Sequence, residues 1–167
     1  MKKVILLMAV IVIAVSAVHA QEFSKGDWAA NVGISLDNTD PLIFGGSVEH
    51  GLVDNVFNLD GLTFGLGAEL GYCSSSNYGV KASALCIGIR APFHYSPIPK
   101  LDLYSAPALL YASAKAKVLG VTVSDNTTDF GWTIIGARYF FSPNVGAFLE
   151  VGSKNALGLG AGISFRF

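Results

Sequence analysis

Most of the chain alternates apolar residues with small or polar ones over runs of about ten, the period of a strand with two unlike faces. From Asp27 to Leu36, Trp28, Ala30, Val32, Ile34 and Leu36 share one face and Ala29, Asn31, Gly33 and Ser35 the other. A turn at Asp37-Asn38-Thr39-Asp40-Pro41 leads to a second strand, Leu42 to about His50, with Phe44 and Val48 on the apolar face and Glu49 opposite. The third, Leu62 to Cys73, sets Phe64, Leu66, Ala68, Leu70 and Tyr72 against Gly65, Gly67, Glu69, Gly71 and Cys73. The fourth, Val80 to Arg90, sets Leu85, Ile87 and Ile89 against Ala84, Cys86, Gly88 and Arg90. Pro92, Pro97 and Pro99 are expected to stop it, because proline donates nothing to a ladder.

A fifth strand, Leu101 to about Ala114, has a weaker period and is interrupted by Pro107, so its faces stay open; a sixth runs from about Asp129 to Phe141. The segment Val118 to Val123 is expected to prolong the two as a protruding hairpin. After the turn Ser142-Pro143-Asn144, Val145, Ala147, Leu149 and Val151 oppose Gly146, Phe148, Glu150 and Gly152. The last strand sets Leu157, Leu159, Ala161, Ile163, Phe165 and Phe167 against Gly158, Gly160, Gly162, Ser164 and Arg166.

Eight such segments in four hairpins, with no helical period, predict an all-β fold: an eight-stranded antiparallel up-and-down transmembrane β-barrel. A half-buried strand of a soluble protein alternates in the same way, so other features decide which face is outside. Charged residues make up only 14 % of the chain, sparse for a surface in water. Trp28, Tyr72, Tyr95, Tyr139, Phe141, Phe165 and Phe167 fall near strand ends, where aromatic rings suit bilayer interfaces.

Met1-Lys2-Lys3, the apolar run from Val4 and the small residues Val18-His19-Ala20 read as a secretory signal peptide. The run is about 15 residues where a membrane helix needs roughly 20. Cleavage is expected after Ala20, giving a signal peptide at 1–20 and one barrel domain at 21–167. Cleavage removes Lys2 and Lys3 and no acid, leaving nine Lys and Arg against twelve Asp and Glu, net −3. No basic surplus is left for nucleic acid.

With the apolar face outward, Glu49, Glu69, Arg90, Arg138, Glu150 and Arg166 point inward, a polar network expected to fill the half of the lumen nearer the periplasm. An interior of eight strands is just filled by side chains, and buried ions must be paired, so a satisfied network is favoured over a pore. A hairpin register that puts Cys73 opposite Cys86, a candidate disulfide, also puts Glu69 opposite Arg90. Two free thiols are the alternative. His50 and His94 fall at expected turns with no nucleophile beside them, and are read as turn or interface residues rather than catalytic or metal-binding groups. No cofactor is expected.

The stretch Gly65-Leu66-Gly67-Ala68-Glu69-Leu70-Gly71-Tyr72, the run Gly136-Ala137-Arg138-Tyr139-Phe140-Phe141-Ser142-Pro143-Asn144 and the terminal Ile163-Ser164-Phe165-Arg166-Phe167 resemble the small outer-membrane β-barrel family of OmpA/OmpX-like and opacity-protein-like proteins. The resemblance covers the mature chain. It implies a bacterial outer-membrane location, contact with lipid, and recognition of Ile163, Phe165 and Phe167 by the barrel-assembly machinery. It also implies ion pairs in the lumen and, for a protruding sheet, a protein partner at its edge, here around Leu119 and Gly120. With no domain expected after the last strand, peptidoglycan binding is not. The expected protein is a monomeric, non-enzymatic barrel with a structural or surface-interaction role. Two alternatives are a small pore for ions or solutes and a soluble lipocalin-like barrel holding an apolar ligand.

Overall fold

The computed structural model describes residues 23–37, 41–77, 80–118 and 121–167. The signal peptide at 1–20, the turn residues Asn38, Thr39 and Asp40, and the hairpin tip Leu119-Gly120 lie outside the described residues. Among those described, nine strands form one antiparallel sheet: β1 (Trp28–Ser35), β2 (Phe44–Val53), β3 (Leu62–Asn77), β4 (Val80–Arg90), β5 (Phe93–Ile98), β6 (Leu101–Val118), β7 (Val121–Phe140), β8 (Val145–Ser153) and β9 (Leu159–Arg166). The sheet closes where β1 pairs with β9, and the seam ends with Trp28 and Phe167 exchanging backbone hydrogen bonds of 3.1 and 2.9 Å.

The nine strands make eight staves, because β4 and β5 are one. Both pair with β3 and with β6, and the register is kept across Pro92: Arg90 lies opposite Gly67 and Ala108, and Phe93, three residues on, opposite Phe64 and Ser105. The expected stop is therefore corrected at Pro92 and Pro97, and the strand ends at Ile98, just before Pro99. Pro92 removes one donor but keeps its carbonyl, which accepts from the Gly65 amide at 2.8 Å, so the ladder loses a single rung.

The faces are inverted relative to a soluble barrel. Val32 and Ile89 are each 63 % exposed on the outside, while Glu49 is 1 % and Arg138 0 % exposed inside. A β-bulge in β7 between Thr133 and Ile135 leaves both Ile134 and Ile135 outside and reverses the phase of everything after it. Without it Arg138 would share the outward face of Phe130 and Trp132. The sixth strand also starts earlier than expected, at Val121, paired with β6 along its whole length.

The staves are unequal. Pairing of β2 with β3 stops at Phe44 and Tyr72, and that of β8 with β7 stops at Ser153 and Trp132. The ends of β3, β4, β6 and β7 therefore continue beyond the barrel as a protruding sheet, at the end opposite Phe23 and Phe167.

Candidate functional site

The interior holds a cluster of ionic and polar side chains drawn from β1 through β8. Arg90 on β4 places Nε 3.0 Å from Glu49 Oε1 on β2 and Nη1 3.3 Å from Glu69 Oε2 on β3. The same Nη1 stands 3.9 Å from Glu150 Oε2 on β8. Arg138 on β7 donates through Nη2 to Glu49, through Nη1 to Asp102 Oδ2 on β6 at 2.9 Å, and through Nε to Asn31 Oδ1 on β1 at 3.1 Å. His94 on β5 lies between Asp102, 3.0 Å from Nδ1, and Glu49, 3.5 Å from Nε2. Tyr104 on β6 donates to Glu150 Oε2 at 2.9 Å and lies under Arg138, whose guanidinium carbon is 4.3 Å from its ring centre.

The ring fits because Gly136 faces it: a Cβ at that position would collide with the Tyr104 ring. All these ionic groups are buried, so each must be offset by its partners, since an unpaired buried ion costs several kcal/mol. Four carboxylates face two guanidiniums and one imidazole.

Of the six residues expected in the lumen, five meet here: Glu49, Glu69, Arg90, Arg138 and Glu150. Arg166 does not. It sits at the rim on the terminal side, donating to the Pro143 carbonyl at 3.2 and 2.8 Å and lying over Phe140, 4.7 Å from its ring centre. Asp102 and Tyr104 were missed because β6 had no clear phase. His94, expected in a turn, is fully buried, because its strand continues through Pro92. His50 remains at the surface, stacked on Trp28 with ring centres 4.5 Å apart.

The cysteine register is also corrected. Cys73 faces Ala84 and Cys86 faces Gly71, two residues away from the expected pairing, and both thiols are free. The strands run on to Asn77 and Val80, which tightens the hairpin and moves Arg90 opposite Gly67. Arg90 still reaches Glu69, on a diagonal.

Both mouths of the lumen are covered. At the terminal end Phe23 is buried against His94, ring centres 4.1 Å apart, and its carbonyl accepts from Thr63 Oγ1 at 3.0 Å. At the other end the β8–β9 connection folds inward and buries Ala156 and Leu157. The alternation predicts Leu157 on the outward face of the last strand, and the structure turns it inward. Gly158, at φ +70, breaks the alternation there. Asn155 ties this cap to the wall, donating to Thr133 Oγ1 at 3.1 Å and accepting from the Gly158 amide at 2.8 Å.

The His94–Asp102 pair is buried, with the Phe23 ring against His94 at the terminal end. No group of three or more His, Cys, Asp or Glu side chains among the described residues is placed to hold a metal ion.

An apolar belt around a closed, ion-filled antiparallel barrel is the fold of the small outer-membrane β-barrel proteins. Three solved structures share it: the N-terminal β-barrel domain of Pseudomonas aeruginosa OprF, Neisserial surface protein A (NspA), and Ail, the attachment invasion locus protein of Yersinia pestis. The OprF domain is 17 % identical with a TM-score of 0.60, over 86 % of this chain and 98 % of that one. NspA is 16 % identical with a TM-score of 0.54, over 84 % and 94 %. Ail is 14 % identical with a TM-score of 0.52, over 86 % and 99 %. No family model matches the chain, and no curated protein matches it in sequence.

Proposed function

We propose that this chain is a non-enzymatic integral protein of the bacterial outer membrane, exported by a signal peptide cleaved after Ala20, with a structural or surface-interaction role. The observation that carries the reading is the inversion of the barrel: apolar side chains such as Val32 and Ile89 outside, and Glu49, Arg90 and Arg138 inside. In water that arrangement would expose a belt far larger than the few hundred Å² a soluble monomer tolerates.

Within this reading the Glu49, Glu69, Arg90, Arg138 and Glu150 network, extended by His94 and Asp102, is structural and holds the staves together across the lumen. With Phe23 and Leu157 over the two mouths, it favours a filled barrel over a pore. Ile163 and Phe165 face outward on β9 beside the exposed Phe167, and they form the signal read by the barrel-assembly machinery. The barrel acts as a monomer. Among the described residues β7 has no strand beside Val121 to Gly131 on its β8 side, so this edge offers backbone groups to a protein partner by strand addition near Leu119 and Gly120.

The test is fractionation of cells expressing the chain, followed by electrophoresis of heated and unheated samples. A heat-dependent mobility shift in the outer-membrane fraction is the expected result. Recovery in the soluble periplasm without that shift would favour the lipocalin-like alternative. Planar-bilayer recording then separates a filled barrel from a pore: steady unitary currents that change in Glu69→Ala or Arg90→Ala would establish conduction, and their absence supports the filled barrel.

A further inference from the structure

The protruding sheet carries a basic face that neither the lumen network nor the free edge uses. Across β4 and β6, Lys81 stands directly opposite Lys117, and Ser83 opposite Lys115. All three lysines are exposed, and none has an ion-pair partner among the described residues. Like charges in direct opposition repel, and the surrounding face does nothing to relieve them. The flanking outward positions are Ser74 and Ser76 on β3 and Thr122 and Ser124 on β7, with no acid among them. Asp125 is paired with Ala114 and so belongs to the other face, and Asp129 is held by Lys154 at 2.7 Å. The lysines and the neighbouring hydroxyls line a concavity of about 570 Å³.

The height of this face decides its ligand. On the same staves the outward residues change from apolar to polar at one level, with Tyr72 the last on β3, Leu85 on β4, Tyr111 on β6 and Phe130 on β7. Lys81 lies four residues beyond Leu85, and Lys115 four beyond Tyr111. At about 3.3 Å per residue and a tilt near 40°, their Cα atoms stand roughly 10 Å above the apolar edge, where flexible stems bring the ammonium groups to headgroup level. Lysine point charges set among hydroxyl donors suit phosphate oxygens.

We propose that Lys81, Lys115 and Lys117 form a binding site for the phosphorylated headgroup of a lipid in the leaflet around the protruding sheet. This rests on the membrane-spanning reading above. The site holds the lipid against the outward face of β4 and β6, and so fixes the depth and tilt of the barrel.

The test uses full-length mature protein refolded in phosphatidylcholine vesicles that contain bisphosphorylated lipid A, or the same lipid after its phosphates are removed. Protein is then extracted in mild detergent and the co-purified lipid is quantified. Wild type is expected to retain about tenfold more phosphorylated lipid A than the Lys81→Gln/Lys115→Gln/Lys117→Gln variant, with the difference lost in about 0.5 M salt. Lys154→Gln, whose ammonium is engaged by Asp129, is expected to behave as wild type. Equal retention by the triple variant, retention that ignores the phosphates, or no effect of salt on wild type overturns the proposal. So does binding of a soluble sulfated oligosaccharide in detergent when lipid A is not retained. The heat-dependent gel shift is read on every sample: a folded barrel that fails to retain lipid refutes this site alone, whereas absence of the shift in all vesicles refutes the membrane reading itself.

Discussion

Glu49 bridges Arg90 and Arg138: one carboxylate on β2 receives the Nε side of a guanidinium from β4 at 3.0 Å and Nη2 of another from β7. No other acid among the described residues joins both arginines at that range. Glu69 and Glu150 reach Arg90 only, and Asp102 reaches Arg138 only. Removing Glu49 therefore leaves two buried cations short of an anion, whereas removing Glu69 deprives one cation that keeps another partner. Glu49→Ala is expected to destabilise the folded barrel by about 3–5 kcal/mol, and Glu69→Ala by clearly less. Urea unfolding in phospholipid vesicles, followed by tryptophan emission, measures both. Equal losses would show that the bridging position carries no special weight.

The contact between Gly136 and Tyr104 gives a second expectation. A methyl group at 136 meets the tyrosine ring, and moving the ring breaks its 2.9 Å hydrogen bond to Glu150. Gly136→Ala should cost about 1–3 kcal/mol by overpacking, and Tyr104→Phe about 1–2 kcal/mol for the lost hydrogen bond. In the double variant the hydrogen bond is already gone when the ring shifts, so the combined loss should fall below the sum of the single losses. Additive losses would mean that the ring does not move.

The fold was legible because period-two alternation is plain in six of the eight staves and needs only adjacent residues to be read. What escaped depended on events that shift phase or register without changing composition. Nothing in the run Trp132-Thr133-Ile134-Ile135 distinguishes the bulge at Thr133 to Ile135 from an unbroken strand, so the sequence places Arg138 inward, as found, without showing the phase change that puts it there. Pro92 was read as a stop because a missing donor argues against pairing, yet both neighbouring strands continue past it, and that error moved His94 from the core to a turn. Leu157 kept the parity of the outward face of the last strand. Only the positive φ of Gly158 separates it from that strand, and glycine is too common in this chain to mark the break.

The register of β3 and β4 can be tested through its cysteines. Cys73 and Cys86 are diagonal neighbours, with Cα atoms roughly 7–8 Å apart, beyond the usual disulfide range of about 7 Å. Both thiols should therefore react with a thiol reagent after unfolding without reductant. Moving one partner into direct opposition should reverse this. The Ala84→Cys/Cys86→Ser variant places its new cysteine opposite Cys73 and is expected to form a disulfide on mild oxidation. Thiol counting before and after reduction checks it. A disulfide in the unaltered chain and none in the variant would restore the looser register.

Phe167 separates assembly in the cell from stability in the membrane. Its backbone exchanges hydrogen bonds with Trp28 to close the seam, while its ring is 73 % exposed and packs against little. Phe167→Ala keeps the backbone pairing and discards a ring that faces outward. The purified variant should therefore refold in detergent and unfold in urea within about 0.5 kcal/mol of wild type, as an exposed substitution does. If the ring is instead a recognition element for the assembly machinery, the same substitution in cells should lower the heat-modifiable barrel in the outer-membrane fraction several-fold and raise the unfolded form in the periplasm. Quantitative blotting of heated and unheated fractions reads both pools. A variant that is unstable in detergent and depleted in cells to the same degree would make Phe167 a seam residue and remove its role as a signal.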